Sequence, residues 1–456
     1  MPSSSDRRTE VQAQRAANDG RVIATSGRTD QALHTSTLVF DDGVSPAGLD
    51  DYLAALCAEQ DTPENALSVY VHLPFCPSRC LTCDHETTVS HDLRQIDHYL
   101  DSLEREVALV TSNLGAKRTL QQLHLGGGTP NYLTEVQLVR LVDILDHHFI
   151  IDDTTATSLE ANAHRASVSQ LALLHGLGFK ALNLEIRDLD LDVQAALGRH
   201  QSLSVIRDVV ESARDIGFET VSTDLVYGLP AQTLTSMRNT VEQLLTLQAD
   251  NINCYRYSRR PESFNHQRAV DEGQMPSLGD TVAVFSRIVD GLCDAGYQWV
   301  GTDCFSREDS VISKAHREGV LHRNRIGYTT KEGGSLLGFG SSSTSDLSGI
   351  SVRNHMQIEP WRDAIGKGEL PIGAGQKVTQ EARERRRALS DLMCNLKLHG
   401  QQYASNDGET TDPTLQALKA DGIIEFDGDS VVVTESGRFK LHQVCGDASP
   451  TYRWGL

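Results

Sequence analysis

The chain has 456 residues, of which 39% are apolar and 23% are charged, a composition typical of a globular protein with one large domain and a smaller appendage. Its formal net charge of −20 argues against wrapping nucleic acid or an anionic membrane, and no apolar run approaches the roughly 20 residues that span a bilayer. Nine cysteines without framework spacing, and an N-terminus that resembles neither a secretory signal nor a transit peptide, predict a cytoplasmic, enzyme-sized protein, which we expect to be a monomer.

Short β-type runs alternate with helical patterns along most of the chain. Residues 1–35 are polar and aperiodic and are predicted to form a disordered tail. The predicted strands are 69–73, 122–125, 158–161, 181–186, 220–226, 251–257 and 298–301, and the predicted helices are 95–111, 135–148, 167–177, 189–197, 202–216 and 234–247. This alternation predicts an α/β fold with a parallel sheet, as a partial or full TIM-like (β/α) barrel of six or seven units within residues 36–375. A doubly wound open sheet is the alternative.

Residues 376–456 have the pattern of a small appendage. Helical patterns cover 381–396 and 414–421, and a last one covers 435–443. The runs 423–426 and 430–434 flank Asp427-Gly428-Asp429, which is a hairpin signal. This order predicts a winged-helix-like domain. We expect a structural cap rather than a DNA-binding module, because the segment offers few basic residues in an acidic protein.

Three cysteines lie in one short run, Cys76-Pro-Ser-Arg-Cys80-Leu-Thr-Cys83, directly after the strand predicted at 69–73. Four thiolates complete an electron-transfer iron–sulfur site, whereas three leave one iron of a cubane cluster open to a small molecule. The run lies at the carboxyl end of a strand, where α/β sheets place their chemistry. A zinc site with His72 or His85 as a fourth ligand is the alternative.

A second loop, Gly126-Gly127-Gly128-Thr129-Pro130, directly follows the next predicted strand. Glycines let a backbone turn sharply and approach a ligand closely, although a glycine run alone is a weak signal. Polar residues also lie at the ends of the later strands: Glu160, Asn162, Glu185, Arg187, Asp224, Tyr227, Arg256 and Ser258. Because the carboxyl ends of parallel strands meet on one rim, these side chains predict one site rather than unrelated helix caps.

Several of these motifs, in this order, resemble the oxygen-independent coproporphyrinogen III oxidases, which are radical S-adenosylmethionine (SAM) enzymes. The matching segments are Tyr70-Val71-His72-Leu73-Pro74-Phe75-Cys76, residues 126–130, Asp224-Leu225-Val226-Tyr227-Gly228-Leu229-Pro230, Leu321-His322-Arg323-Asn324 and Gly327-Tyr328-Thr329-Thr330. The resemblance implies a radical SAM barrel, a [4Fe–4S] cluster, one or two SAM molecules, a tetrapyrrole substrate and an electron donor such as a flavodoxin or ferredoxin. It also implies the activity: a SAM-derived radical removes a hydrogen atom from a propionate side chain, and loss of carbon dioxide and one electron leaves a vinyl group.

The resemblance further implies roles for individual residues. Cys76, Cys80 and Cys83 would bind the cluster, and with Tyr70 they are the expected catalytic residues. The residues expected to bind SAM are Tyr70, Gly127, Gly128, Thr129, Glu160, Arg187, Arg199, Asp224, Val226, Ser258 and Thr344. Arg187 has two further interpretations: it forms an ion pair with Glu185 that merely fills space, or it holds a substrate carboxylate where a second SAM would otherwise lie.

The sequence departs from the family pattern close to these residues. Where the family has an aromatic residue, a cysteine, a glycine, a glutamine and a histidine, this chain has Thr82, His85, Glu185, Arg187 and Cys304, respectively. Residues 159–162 and 197–199 look more like the related heme-chaperone branch. The cluster and the first SAM site are therefore expected to be intact, and the second SAM site and the substrate pocket remodelled. A heme-trafficking chaperone and a radical SAM methyltransferase are the alternative functions.

Overall fold

The structure is a computed structural model that describes residues 44–61, 66–347, 349–400 and 413–440. The predicted tail at 1–35 lies outside the described residues. The strands are β1 (Val44–Pro46), β2 (Leu67–Leu73), β3 (Phe75–Cys76), β4 (Thr88–Val89), β5 (Arg118–Gly127), β6 (Phe149–Ile150), β7 (Ala156–Ala161), β8 (Ala181–Arg187), β9 (Thr220–Tyr227), β10 (Asn251–Arg256), β11 (Tyr297–Val300), β12 (Cys304–Arg307), β13 (His322–Arg323), β14 (Tyr328–Thr329), β15 (Ser335–Phe339), β16 (Thr344–Leu347), β17 (Ile350–Asn354), β18 (Ile372–Val378), β19 (Lys397–His399), β20 (Ile424–Asp427) and β21 (Ser430–Val433). The helices are α1 (Leu49–Ala58), α2 (Leu93–Thr111), α3 (Glu135–His148), α4 (Val168–Gly176), α5 (Leu191–Leu197), α6 (Leu203–Ile216), α7 (Leu234–Leu245), α8 (Leu278–Asp294), α9 (Val311–Glu318), α10 (Ile358–Gly366), α11 (Gln380–Asn395) and α12 (Pro413–Ala420).

A parallel sheet forms the centre of the fold. Strands β2, β5, β7, β8, β9 and β10 lie side by side in chain order, and β15 extends the parallel sheet beyond β2. A doubly wound sheet reverses its strand order at its centre, whereas this order runs in one direction, as in a (β/α) barrel. The path of paired strands ends at β1 on one side and at β11 on the other, so the barrel is partial. The α/β prediction is confirmed.

Antiparallel strands extend the sheet at both ends. Strand β12 pairs antiparallel with β10 and β11, and β16, β17, β18 and β1 continue antiparallel beyond β15. The strand predicted at 298–301 therefore exists as β11, but it does not form a seventh βα unit, because its hydrogen-bonded partner β12 is antiparallel. Six strands that are consecutive in the sheet make up the βα part of the barrel.

The barrel helices α2 to α7, with the exception of α6, begin at a residue whose side chain caps the helix. Helix α3 follows Thr134, whose hydroxyl accepts the Gln137 N–H while the Gln137 side chain accepts the Thr134 N–H. The predicted helix at 135–148 coincides with α3, and the other predicted barrel helices agree with the observed ones within two residues at each end. Local capping and a 3.6-residue apolar period were sufficient for these elements.

The barrel strands are apolar on the outside and polar toward the lumen. In β9, Val221 and Leu225 are buried in the hydrophobic core, while Ser222 and Asp224 between them are partly exposed. The same alternation occurs in β7 and β8. The inward side chains leave a cavity of about 950 Å³ that runs from the amino to the carboxyl ends of the strands.

A buried carboxyl group joins α2 to the antiparallel end of the sheet. Glu106 is 1% exposed and accepts hydrogen bonds from the Gly340 N–H (2.8 Å), the Asn354 amide and the Trp361 indole N–H (3.2 Å). Burial raises the pKa of Glu106 to about 8. Nearby, the Tyr99 ring stacks on Trp361. These contacts connect elements that lie far apart in the sequence.

The appendage has a core of its own. Strands β19, β21 and β20 form a separate three-stranded sheet, which packs with α11 and α12 around a small apolar cluster that includes Leu392, Leu415 and Val431. Strand β18 crosses the predicted boundary at 375/376, so the main sheet continues to Val378. The winged-helix assignment stays a prediction, and residues after 440 lie outside the described part. In the described ranges, no helix is long and apolar enough to cross a membrane.

Candidate active site

The loop that carries the three cysteines lies at the carboxyl end of β2. Cys76 and Cys80 are partly exposed, Cys83 is buried, and all of them line the cavity. The loop is held by its backbone: the Cys83 carbonyl accepts hydrogen bonds from the side chains of His266 (2.7 Å) and Gln267 (2.9 Å). The three thiols are therefore presented to the lumen by a fixed loop.

The glycine loop at the end of β5 packs directly on the cysteine loop. The Gly128 N–H donates to the Leu73 carbonyl (2.8 Å) and the Thr129 N–H to the Phe75 carbonyl (2.9 Å). A Cβ on Gly128 would lie 2.8 Å from both carbonyl oxygens. Gly127 has φ of +109°, and a Cβ there would lie 2.5 Å from the His72 ring. Only glycine fits at these two positions: at Gly128 the two loops approach too closely for a Cβ, and at Gly127 the left-handed backbone and the His72 ring exclude one.

Glu160, at the end of β7, lies beside the glycine loop. Its carboxylate accepts the Gly127 N–H (3.0 Å) and lies 3.6 Å from His124 Nε2. Burial raises the pKa of the Glu160 carboxyl, but His124, His85 and the Gly127 N–H together outweigh this effect, so the pKa lies below its ordinary value. The Tyr70 ring stacks on His124, with 5.9 Å between ring centroids. The site therefore offers a carboxylate that can accept hydrogen bonds from an ammonium group.

Asp224 lies deeper in the lumen, between two asparagines on the neighbouring strands. Asn183 on β8 donates to one carboxylate oxygen (2.6 Å), and Asn253 on β10 donates to the other (2.9 Å). Burial raises the pKa of Asp224 to about 7. The sequence interpretation did not include the two asparagines. The period-2 alternation of the strands was the signal that could have placed them on the lumen face.

Glu185 and two arginines form an ion cluster next to the cysteine loop. Arg187 Nε donates to Glu185 Oε1 (2.6 Å), and Arg199 Nη1 donates to Glu185 Oε2 (3.0 Å). Burial opposes the ionisation of Glu185, but the charges of Arg187 and Arg199 lower the pKa of its carboxyl to about 2. The ion pair between Arg187 and Glu185 that the sequence suggested is therefore present, with Glu185 shared between Arg187 and Arg199.

A short hairpin, β13 with β14, covers one side of the cavity. Arg323 forms a bidentate ion pair with Asp303, with N–O distances of 3.0 and 2.9 Å, and the Tyr328 hydroxyl donates to the same carboxylate (2.8 Å). Cys304 follows Asp303 and is buried at the cavity wall. The sequence interpretation did not include Asp303, because only the folded structure shows that Asp303 lies next to Arg323.

The structure brings most of the expected site residues to one cavity. Those that line it are Cys76, Cys80, Cys83, Gly127, Gly128, Thr129, Glu160, Arg187, Arg199, Asp224 and Val226. Tyr70 lies behind this wall, with its hydroxyl 3.1 Å from His72 Nδ1. Ser258 is exposed beyond the end of β10, and Thr344 lies on β16; neither is part of the cavity wall. The individual cofactor contacts of all these residues stay predictions.

The similarity of this chain to known proteins agrees with the geometry. The model of the Radical SAM superfamily matches residues 70–244. Over 422 residues, the chain is 32% identical to the oxygen-independent coproporphyrinogen III oxidase of Pseudomonas aeruginosa, covering 90% of this chain and 91% of that relative. The chain belongs to the family of oxygen-independent coproporphyrinogen III oxidases. The Escherichia coli oxidase is 32% identical over 394 residues, which are 84% of this chain and 85% of that relative. A solved structure of the Escherichia coli coproporphyrinogen III oxidase, described as a radical SAM enzyme, aligns with a TM-score of 0.81 at 31% identity, covering 88% of this chain and 93% of that chain.

Membership in the coproporphyrinogen III oxidase family confirms the expected fold, the enzyme class of radical SAM oxidoreductases and the two cofactors, a [4Fe–4S] cluster and SAM. The residues present fit these cofactors: three thiols on one loop are the donor set of a cluster with an open iron. Beside them, the positions of Gly127 and Gly128 leave a wall without side chains. Binding of a second SAM stays a prediction.

Proposed function

We propose that this chain catalyses the oxygen-independent oxidative decarboxylation of coproporphyrinogen III, which converts propionate side chains into vinyl groups. The observation that supports this best is a cavity of about 950 Å³ that contains both the three thiols and as many basic as acidic side chains, in a protein that is acidic as a whole. Eight arginine or lysine side chains and eight aspartate or glutamate side chains line the cavity. The whole chain, in contrast, has 42 arginine and lysine residues and 62 aspartate and glutamate residues. The lining is thus far less acidic than the rest of the protein, which suits a substrate with several carboxylates.

The cofactor positions follow from the loops described above. Cys76, Cys80 and Cys83 would hold the cluster, and Gly128 with Glu160 would hold SAM beside it. When bound, these cofactors would supply the radical that removes a hydrogen atom from a propionate side chain; loss of carbon dioxide and transfer of one electron to an external one-electron acceptor would then give the vinyl group. The chain itself binds and orients the substrate and keeps water from the reacting carbon.

Two arginines on different sides of the lumen are suited to hold propionates. Arg165 follows β7 at the rim, where its guanidinium lies 4.6 Å from the centre of the Tyr132 ring. Arg256 ends β10, three strands further along the sheet. A guanidinium binds a carboxylate through two parallel hydrogen bonds, so two such groups would fix the orientation of the macrocycle.

An anaerobic assay tests the proposal. Protein reconstituted with iron and sulfide is incubated with SAM, dithionite and coproporphyrinogen III, and tetrapyrrole products and 5′-deoxyadenosine are separated by chromatography. We expect vinyl products together with 5′-deoxyadenosine, and neither from Cys80→Ser protein treated in the same way. The absence of both products from cluster-loaded wild-type protein would refute the oxidase assignment.

The same assay distinguishes the alternative functions. S-adenosylhomocysteine among the products would indicate a radical SAM methyltransferase, and stoichiometric heme binding without SAM cleavage would indicate a heme-trafficking chaperone. We also propose a cytoplasmic location, a monomeric state and a flavodoxin or ferredoxin as electron donor. In the described ranges, no disulfide joins two of the eight cysteines, which suits a reducing compartment.

A further inference from the structure

Three of the positions at which the sequence departs from the family pattern are connected by direct contacts, with Arg187 between the other two. Arg187 Nη1 donates to the Thr82 hydroxyl (3.1 Å), and Arg187 also pairs with Glu185. Arg199 pairs with the second oxygen of Glu185. We call Thr82, Glu185, Arg187 and Arg199 the arginine network. The Thr82 hydroxyl supplies an acceptor for Arg187, so the three departures form one compatible set.

The arginine network lies against the cysteine loop. Arg199 Nη1 is 3.6 Å from Cys80 Sγ, and Thr82 lies in the sequence between Cys80 and Cys83. The side chain of Arg187 is 8% exposed and that of Arg199 is 13% exposed. Arginine stays protonated in proteins, so two guanidinium groups and one carboxylate leave one net positive charge beside the thiols.

The other charges near Arg187 do not cancel this excess. Asp84 also attracts Arg187, but Asp84 lies 3.1 Å from His85 Nδ1 and 3.8 Å from Arg260 Nη2, so its own charge is already shared with other cations. A fixed charge in a buried site acts more strongly than one in water, because the surrounding dielectric is low.

The backbone is shaped to bring Arg187 to this place. Arg187 has φ of +69°, a left-handed conformation that is unfavourable for a residue with a side chain, and the register of β8 against β9 shifts between Glu185 and Arg187. The Glu185 carbonyl accepts hydrogen bonds from Arg199 Nη2 (2.7 Å) and Gln201 Nε2 (2.9 Å), which hold the shifted segment. Such strain is typical of positions that are held for a function.

We propose that Arg187 and Arg199, with Glu185 as their shared counterion, raise the reduction potential of the cluster bound by the cysteine loop. Reduction adds one negative charge to the cluster, so a fixed positive charge stabilises the reduced form more than the oxidised form. Hydrogen bonds to the cysteine sulfurs act in the same direction, and Arg199 is placed to make one to Cys80. Arg187 and Arg199 are positioning residues in this role. The inference depends on the cluster alone, so it does not depend on which substrate is used.

A redox titration followed by electron paramagnetic resonance tests this inference on reconstituted protein without SAM or substrate. At a potential equal to the wild-type midpoint, we expect the ratio of reduced to oxidised cluster to be about tenfold lower in Arg187→Gln protein than in wild type. For a one-electron couple, this corresponds to a midpoint potential that is lower by about 59 mV. In Glu185→Gln protein, we expect the ratio to rise, because the same two guanidinium groups lose their counterion. Arg187→Lys keeps the charge and should shift the potential less than Arg187→Gln.

Matched controls keep the result interpretable. Arg94, on α2, is 83% exposed and pairs with Asp92, so Arg94→Gln should leave the potential unchanged. Shifts of Arg187→Gln and Glu185→Gln in the same direction, or no shift in either, would overturn the inference. If Arg187→Gln protein does not take up iron, the comparison of Glu185→Gln with wild type decides: a potential that is not raised refutes the role of the network.

Discussion

Replacing Gly128 with alanine should separate the cysteine loop from the glycine loop. A Cβ there would lie 2.8 Å from the Leu73 and Phe75 carbonyl oxygens and from the Pro74 carbonyl carbon, whereas ordinary contact begins at 3.4 Å. The neighbouring backbone must therefore move by about 0.6 Å (3.4 − 2.8), and the obstructing atoms are main chain, which cannot rotate away. The same movement stretches the two hydrogen bonds between the loops, each worth about 1 kcal/mol net. Together with the crowding, this predicts a loss of about 2–4 kcal/mol in the free energy of unfolding.

Two measurements check this prediction. Urea unfolding of the apo-protein, followed by tryptophan fluorescence, gives the change in stability, and iron per chain after reconstitution reports whether the three thiols still bind a cluster. Gly176→Ala is the matched control: Gly176 ends α4, and a Cβ there would meet nothing within 4 Å, so stability should be unchanged or rise by up to about 1 kcal/mol. A Gly128→Ala protein with the stability and iron content of the Gly176→Ala protein would refute the reasoning.

Three further predictions concern buried or metal-binding groups. At pH 7, Glu106→Gln should lower the free energy of unfolding by about 2 kcal/mol, because the carboxyl, with a pKa of about 8, carries one proton there, whereas the amide brings two N–H donors to a site lined by N–H donors; Glu104→Gln on the same helix should change it by about 0.5 kcal/mol or less, and equal losses in urea unfolding would contradict this. Because burial raises the pKa of Asp224 from 3.8 to about 7, the folded apo-protein keeps a proton that the unfolded chain releases. The resulting stability is complete below the unfolded pKa and is lost as the pH rises through about 7, so the urea midpoint of wild type should fall more between about pH 5.5 and pH 8.5 than that of Asp224→Asn, and parallel profiles would contradict this. Cys80→Ser should lose most of the reconstituted iron while apo-protein stability changes by about 0.5 kcal/mol or less, and full iron uptake would argue against Cys80 as a ligand.

The parallel half of the fold could be predicted because its signals are local. Capping side chains and apolar periodicity placed the helices between β5 and β10, and the strands ended where glycine or polar residues followed. The strands from β15 to β18 and the hairpin of β13 with β14 could not be predicted in this way. Strands β13 and β14 have two residues each, strands β15 to β18 each contain serine or glycine, and all of them become strands because neighbouring strands supply the hydrogen bonds.

The site could be predicted as far as motifs reached. The cysteine loop, the glycine loop and Glu160 occur at strand ends, so their meeting at one rim followed from the parallel sheet. The contact between Arg187 and Thr82 joins residues that are 105 positions apart, and nothing local in the sequence indicates it. The departures from the family pattern were visible one by one, but only the fold shows that three of them touch.

The polar lumen has a consequence for how such an enzyme changes over time. The apolar core lies outside the strands, so lumen side chains such as Ser158 and Ser222 are not part of it. Substitutions of such lumen side chains change which molecule the cavity accepts, while the hydrophobic core of the barrel stays the same. A lineage can therefore acquire a new substrate through a few substitutions inside the barrel, with the radical-generating loops at its rim left untouched.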